Sequence, residues 1–514
     1  MVSDKRNNKE QEKSQYENRH LKKSLKANIK LFKEIFNDDE TLFVKPFKMQ
    51  TMDQLDCCIV FIEGMIDVEV VNRNVIQPIL KNKIPMGQKP LEILQNHVIA
   101  SHKIEKIKDI DKLIQGIIIG NTVLLIEGVS DALIITTKGF KFRDIAEPPS
   151  EKVIRGPREG FTEAFLTNLS LLRRKLKTPN LKFKYYTLGV QTNTKICISY
   201  IEGIANDKII AEVEKRLEDI NIDGILDSGH IEELIKDSPL SPFKTIGSSE
   251  RPDVVASRLL EGRIAIIVDG SPNVLIMPFL FQEYFQSNED YYNNYIFSSI
   301  NRMLRIFGFF ITISVAGVYV ALTTYHQEIF PTPLLLSISA ARQGVPFPTV
   351  IEAITLLFIF EVLREASVRM PDAIGQTMSI VGALVLGQAA IDAKLFSAPM
   401  VVIVALSGIT ALIVPRFKGA IIVVRLLLLF ASAFLGLYGF VFGIILVLIH
   451  LFGMRSFGVP YMLDYNSFEF QDFKDTMIRA PWWYMRLRPK FISAYNTVRQ
   501  AKYKKGGKTD EKNG

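Results

Sequence analysis

The chain has little with which to build a covalent or redox centre. Three cysteines occur in 514 residues, two adjacent at Cys57 and Cys58 and one at Cys197. That number and spacing make neither a disulfide framework nor a set of metal ligands, and buried thiols in a reducing compartment are the expectation. The histidines at 20, 97, 102, 230, 326 and 450 never fall at H-x-x-x-H or H-x-x-H spacing, which removes the usual helical zinc sites. There is no P-loop and no nucleophile motif. No catalytic set, metal or cofactor is therefore expected, and an enzyme is the weakest reading. The first 30 residues are mostly Lys, Glu, Asn and Gln and lack the apolar core of a secretory signal. Residues 1–25 read as a disordered charged tail, and the soluble part is expected to stay cytosolic.

What is present is apolar length. Residues 303–326 (MLRIFGFFITISVAGVYVALTTYH) exceed the ~20 apolar residues that cross a hydrocarbon core of roughly 30 Å. Further apolar runs lie at 374–390, 399–414 and 420–453. The last would extend about 51 Å as one helix, too long for a single crossing, so it reads as two spans or a hairpin breaking near Gly436 and Gly439. These runs divide the chain into the tail 1–25, a first cytosolic α/β subdomain at 26–150, a signature helix and second α/β subdomain at 151–300, a polytopic α-helical membrane domain at 301–455, and a basic cytosolic tail at 456–514. The formal charge of +8 matters less than its location. Between Arg479 and Lys508 there are nine Lys or Arg and no acid, which puts that end in the cytosol by the positive-inside rule. Nucleic-acid binding is the rival reading of a basic run. It loses because the run opens with PWWYMRLRPK, where Trp482 and Trp483 suit a lipid interface.

The soluble part repeats itself. CCIVFIEGMID at 57–67 is echoed by ICISYIEGIAND at 196–207, and GNTVLLIEGVSDALII at 120–135 by GRIAIIVDGSPNVLIM at 262–277. The second pair keeps a constant offset, and both run in the same order, which argues for internal duplication. Each unit should hold a strand, a helical stretch and a hairpin turning at acid-Gly, with strands apolar on both faces and covered by helices. The unit cores are expected at about 50–140 and 190–285. Glu63, Glu127, Glu202 and Asp269 each stand beside a glycine and read as turn residues rather than as catalytic carboxylates. Residues 22–48 read as an amphipathic helix from the spacing of Leu25, Ile29, Phe32, Ile35 and Phe36. At 154–177 (IRGPREGFTEAFLTNLSLLRRKLK) a helix with Leu169, Leu172 and Leu176 on one stripe ends in Arg173, Arg174 and Lys175. It is either a capped surface helix or a docking element.

In the apolar block, 350–372 (VIEAITLLFIFEVLREASVRMPD) carries Glu352 and Glu361, nine positions apart and so on opposite faces of one helix. A mid-bilayer charge costs roughly 2.5–3.5 kcal/mol or more, so both should face protein or water. Glu361 can pair with Arg364 or Arg369, as a structural salt bridge or as part of an ion path. The 374–390 run gathers Gly375, Ser379 and Gly382 on one face and adds Gln376, a surface for helix packing or for a pore. Gly439 and Gly443 form a second small-residue pair, and Arg425 is expected to snorkel to the cytosolic end. Counting from Arg302 and Arg305 inside, an even number of crossings, six or four, returns the basic tail to the cytosol.

The 154–177 segment, with the later AARQGVPFPTVIEAITLLFIFEVLREASVRMPDAIGQTMSIVGALVLGQAAIDAKLFSAPMVVIVALSGITAL, resembles the A subunit of spore nutrient germinant receptors, the GerA family. The resemblance runs over about 55–490. It implies an A subunit that assembles with a transporter-like B subunit and a lipoprotein C subunit, self-associates into a ring, and forms a nutrient-gated ion channel in the spore inner membrane that triggers germination. The family is usually drawn with about five spans, in conflict with the even count. A paralogue associated with dipicolinate release shares the architecture; a transporter or a non-conducting scaffold are the other readings. On this reading Glu352, Glu361, Gln376 and Ser379 line or gate the ion path. Arg155, Arg158, Glu159, Arg173 and Arg174 couple soluble and membrane parts, and Gly375, Gly382, Gly439 and Gly443 pack helices.

Overall fold

The computed structural model describes residues 20–37, 39–49, 55–82, 90–139, 147–148, 150–369, 387–462, 475–485, 487–488, 492 and 498–499. Most of the expected tail at 1–25, and Gly375, Gln376, Ser379 and Gly382, lie outside the described residues.

Two five-stranded antiparallel sheets form the α/β part. In the first, β1 (Leu42–Lys48), β2 (Asp56–Ile62), β3 (Ile104–Ile107), β4 (Thr122–Ile126) and β5 (Ala132–Ile135) lie in the order β1-β2-β4-β5-β3. In the second, β6 (Leu181–Leu188), β7 (Thr194–Ile201), β8 (Gly247–Ser249), β9 (Ile264–Val268) and β10 (Val274–Met277) lie in the order β6-β7-β9-β10-β8. The central strands are buried along their whole length, because alternate residues enter separate cores on the two faces. Cys58, Val60 and Ile62 meet Phe32, Leu113 and Ile117 on one side. Cys57, Ile59 and Phe61 meet Val75, Ile79 and Leu94 on the other. The hairpin turns pass through Gly128 and Gly270 at φ +82° in both, a conformation that costs other residues more than glycine. A Cβ at either would touch nothing, so backbone freedom rather than space is the requirement.

The repeat begins earlier than the echoed strands. Helix α1 (Leu25–Ile35) and helix α3 (Phe165–Lys175) stand in equivalent positions, with α2 (Ile110–Ile118) between them in the chain. Asn28 accepts a hydrogen bond from Lys22 N at 2.8 Å and donates to Lys22 O at 2.7 Å. Asn168 does the same with Thr162, at 2.8 and 2.5 Å. Both side chains are buried, so each asparagine clamps the chain entering its helix. The segment 154–177 therefore opens the second unit. The expected helix over 22–48 is instead α1 followed by strand β1. Pro46 and the two lysines of β1 suit a sheet edge, where no ladder donor is needed on the outer side.

The longer helices that follow are α4 (Asp207–Glu218), α5 (Ser228–Ile235), α6 (Pro252–Leu259), α7 (Tyr295–Thr324), α8 (Thr332–Arg342), α9 (Thr349–Arg369), α10 (Ala398–Leu412) and α11 (Lys418–Gly453); short helices also lie at Val68–Val71, Gln77–Lys81, Pro90–Ile93 and Gly387–Asp392. Among the described residues two segments are long and apolar enough to cross a membrane, Tyr295–Thr324 and Pro415–Gly453; Ala398–Leu412 is apolar but shorter. Helix α11 is folded back at Gly436 (φ +60°, ψ −141°). A Cβ at Gly439 would fall on the Ala431 carbonyl, and one at Gly443 would lie 2.8 Å from Leu428 Cδ2. Leu451 accordingly packs with Phe417, Ala420 and Val424. The long final run is thus an antiparallel pair of arms whose two ends both meet the second α/β unit: Arg416 pairs with Glu151, and His450 lies 2.8 Å from Ser241 Oγ.

Candidate functional site

The acids of α9 are held by very different partners. Glu352 is fully buried. Its Oε2 accepts from Ser397 N at 3.0 Å and Ser397 Oγ at 2.7 Å. Ser397 is the N-cap of α10, so the carboxylate sits against the positive end of that helix, where an anion is stabilised. Its other oxygen has no hydrogen bond among the described residues and lies 3.8 Å from Arg342 Nε. Glu361 binds Arg364 one turn on and accepts from Arg425 Nη2 at 2.8 Å.

Arg425 is 2% exposed. It does not snorkel: the fold-back of α11 turns it into the bundle, and its charge is met there by Glu361. Its Nη1 donates to Ser407 Oγ at 3.2 Å, and Ser407 Oγ donates to Thr312 O at 3.0 Å. Thr312 Oγ1 in turn lies 2.8 Å from Thr410 Oγ1. A polar seam thus runs from α9 through α11 and α10 to α7, at the centre of otherwise apolar helices. Arg369, expected as a partner of Glu361, pairs with Glu365 at 2.8 Å instead, because i+4 spacing brings it over the next turn.

The candidate coupling residues separate into two groups. Arg173, 1% exposed, pairs with Asp39 at 2.6 Å, donates to Thr178 O and Leu181 O, and stacks over Phe183. It fastens the first unit to the second. Glu159 binds Arg174 at 3.2 Å and Lys175 at 3.0 Å. Partial burial would raise its pKa, but the two cations outweigh that and hold the carboxyl below its usual range. Arg158 faces Glu147 at 3.9 Å, and Arg155 is exposed.

Described contacts to the apolar helices come from residues outside 154–177. Besides pairing with Arg416, Glu151 accepts from Ser249 Oγ at 2.6 Å, and its backbone carbonyl accepts from Arg251 Nη1. Arg251 also grips Asp253, which accepts from Tyr292 Oη at 2.6 Å and Asn288 Nδ2 at 3.0 Å, immediately before α7. Burial opposes the ionised form of Asp253, yet these donors hold its pKa below the ordinary value. At the start of α7, Arg302 is fully buried between Asp290 and Asp475, while Arg305 binds Asp290 at 2.7 Å. Trp482 and Trp483 pack on Tyr291 and Tyr295. Sequence reasoning used Arg302 and Arg305 only as topology marks. Their excess of charge at the mouth of an apolar helix was the available signal for this junction.

Among the described residues no group of three His, Cys, Asp or Glu could hold a metal ion. Of the acids at the unit turns, Glu127 Oε2 accepts from Leu25 N at 2.7 Å at the start of α1, and Glu202 pairs with buried Lys182 at 3.2 Å.

A family model described as Bacillus/Clostridium GerA spore germination protein matches residues 30–491. Spore germination protein KA of Bacillus subtilis (strain 168) is 43% identical over 477 residues, covering 92% of this chain and 88% of the relative. An uncharacterized membrane protein of the same organism, YfkQ, is 42% identical over 447 residues, covering 86% and 87%. Among solved structures, the N-terminal domain of the A subunit of the Bacillus megaterium spore germinant receptor GerK3 is similar at 33% identity, covering 51% of this chain and 97% of that one, with a TM-score of 0.39.

Proposed function

This chain belongs to the GerA family of spore germination proteins, and from that premise we propose that it is the A subunit of a nutrient germinant receptor and conducts ions when the receptor is triggered. It is a multi-pass protein of the spore inner membrane, with the two α/β units and the basic tail on the cytosolic side. Its copies assemble into a ring with a transporter-like B subunit and a lipoprotein C subunit, and it catalyses no reaction. The observation that carries this reading is buried Arg425 paired with half-buried Glu361, and the hydroxyl seam behind them. Ionisable groups inside apolar helices are expensive and mark ion pathways or gates. The α11 fold-back supports the sidedness, since both of its ends meet the α/β unit. Glu352 and Glu361 are assigned to the gate, and Glu151, Arg251 and Asp290 join the coupling set named above.

Reconstitution of the purified full-length protein with its partner subunits into planar bilayers is expected to give discrete unitary currents. Saturable solute flux without unitary events would make it a carrier. Silence with intact partner binding would make it a scaffold.

A further inference from the structure

A recess of about 540 Å³ opens between α7 and the two arms of α11, within the range of roughly 300–1,000 Å³ found for small-molecule sites. One wall is α7 from Ile306 to Ser314, and another is the return arm of α11 from Ile444 to Phe452. Leu428 of the first arm closes the back. Phe281, Phe285 and Met477 form a floor at the junction with the α/β part. Among the described lining residues none is charged, and Gln282, Ser314 and Thr476 are the polar ones. Ser314 Oγ donates to Phe310 O within its own helix, so that wall presents little but carbon.

Three observations select the guest. A recess lined by Phe, Leu and Ile holds no water, and without charge it offers nothing to an ionic solute. Its mouth is framed by Phe310, Leu448 and Phe452, 54%, 41% and 55% exposed. These belong to Tyr295–Thr324 and Pro415–Gly453, both long and apolar enough to cross a membrane, so the mouth opens onto hydrocarbon. Each wall rises about 12 Å at 1.5 Å per residue, close to the roughly 15 Å of hydrocarbon in one leaflet. A spanning helix must run through the whole core of about 30 Å and would meet the floor.

We propose that the recess is a binding site for one acyl chain of a phospholipid of the cytosolic leaflet, with its head group at the rim beside Gln282 and Thr476. The chain wedges between α7 and the return arm and rests on the Phe281–Phe285 turn. Arg305 Nη1 holds the Phe285 carbonyl at 2.8 Å and also binds Asp290, so the bound lipid touches the junction that joins the apolar helices to the α/β part. The inference rests on the membrane-crossing part of the proposed function and not on conduction.

The test reconstitutes the full-length protein in vesicles of phosphatidylglycerol and phosphatidylethanolamine. These are doped with a phosphatidylcholine carrying a diazirine at the end of one chain, irradiated, and the adducts are mapped by mass spectrometry. Adducts are expected on buried Ile313 and part-buried Ile444 at the inner end of the recess, and on exposed Leu446, which faces lipid directly. Val404, buried on α10 away from the recess, should carry none. Val447 lines the recess, so Val447→Trp should fill it and abolish the adducts on Ile313 and Ile444 while Leu446 stays labelled. Labelled Leu446 with unlabelled Ile313 and Ile444 overturns the proposal, as do adducts on those two that survive Val447→Trp. An unlabelled Leu446 would overturn the membrane-crossing reading along with it. The wild-type map decides alone where Val447→Trp does not fold.

Discussion

Arg425→Met should sharply lower the amount of folded protein recovered from the membrane. The substitution roughly keeps the volume of the side chain but takes from Glu361 the cation it faces at 2.8 Å, leaving Arg364 as its remaining partner among the described residues. Removing one partner of a fully buried pair typically costs about 3–5 kcal/mol, an upper bound for this part-buried acid with a second cation beside it, whereas replacing both by apolar residues is often close to neutral. The double variant Glu361→Leu/Arg425→Met should therefore recover most of the loss, measured as monodisperse protein by size-exclusion chromatography in detergent. Wild-type recovery of Arg425→Met alone would mean that the charge is met elsewhere. The double variant also separates roles: a structural pair predicts restored germination, while a gating pair predicts restored abundance with defective germination.

The second large effect is expected at the α11 bend. Gly436 occupies a backbone region that is nearly closed to other residues, at a cost of order 1–3 kcal/mol. A leucine at Gly439 would have to occupy the position of the Ala431 carbonyl, so Gly439→Leu should pry the arms apart. A direct measurement is oxidative cross-linking of Ala431→Cys with Gly443→Cys. A Cβ built on Gly443 lies 3.6 Å from Ala431 Cβ, inside the span of about 3.5–4.5 Å that a disulfide bridges. In an uninterrupted helix twelve residues would separate them by about 18 Å. The native cysteines are all buried in the α/β units and should not compete. The cross-link should form readily in the otherwise wild-type chain and disappear when Gly439→Leu is added. Its absence from the first would mean that the long run is not folded back.

Much of the soluble fold was legible because its central strands are apolar on both faces and recur at nearly constant spacing. The edge strands were not. β1 and β6 mix lysines with aromatics, and β1 exposes much of its length, so each resembles a loop or an amphipathic helix until its pairing with β2 or β7 is known. The start of the second unit was readable in principle, since Asn28 and Asn168 hold the same fourth helical position in α1 and α3. The clamp they make, however, depends on a carbonyl six residues upstream that no periodicity marks. In the apolar block, helix length disclosed the break in α11, and i+3 spacing disclosed Glu361–Arg364. The partners that matter most are remote: Ser397 lies 45 residues from Glu352 and Arg425 lies 64 from Glu361. Local rules therefore read Arg425 as a snorkelling cation. Arg173 was legible as a dipole-stabilised helix end and not as a staple, because Asp39 reaches it from the other unit.

The central claim is that the polar seam through the apolar helices works in opening the receptor as well as in holding it together. Glu361→Gln tests it, because the amide keeps the shape of the side chain and its hydrogen bond to Arg425 while removing the charge. In spores carrying this variant, with subunit abundance checked by immunoblot, nutrient-triggered germination should be shifted in rate or in nutrient threshold. Germination indistinguishable from wild type at normal abundance would contradict the account.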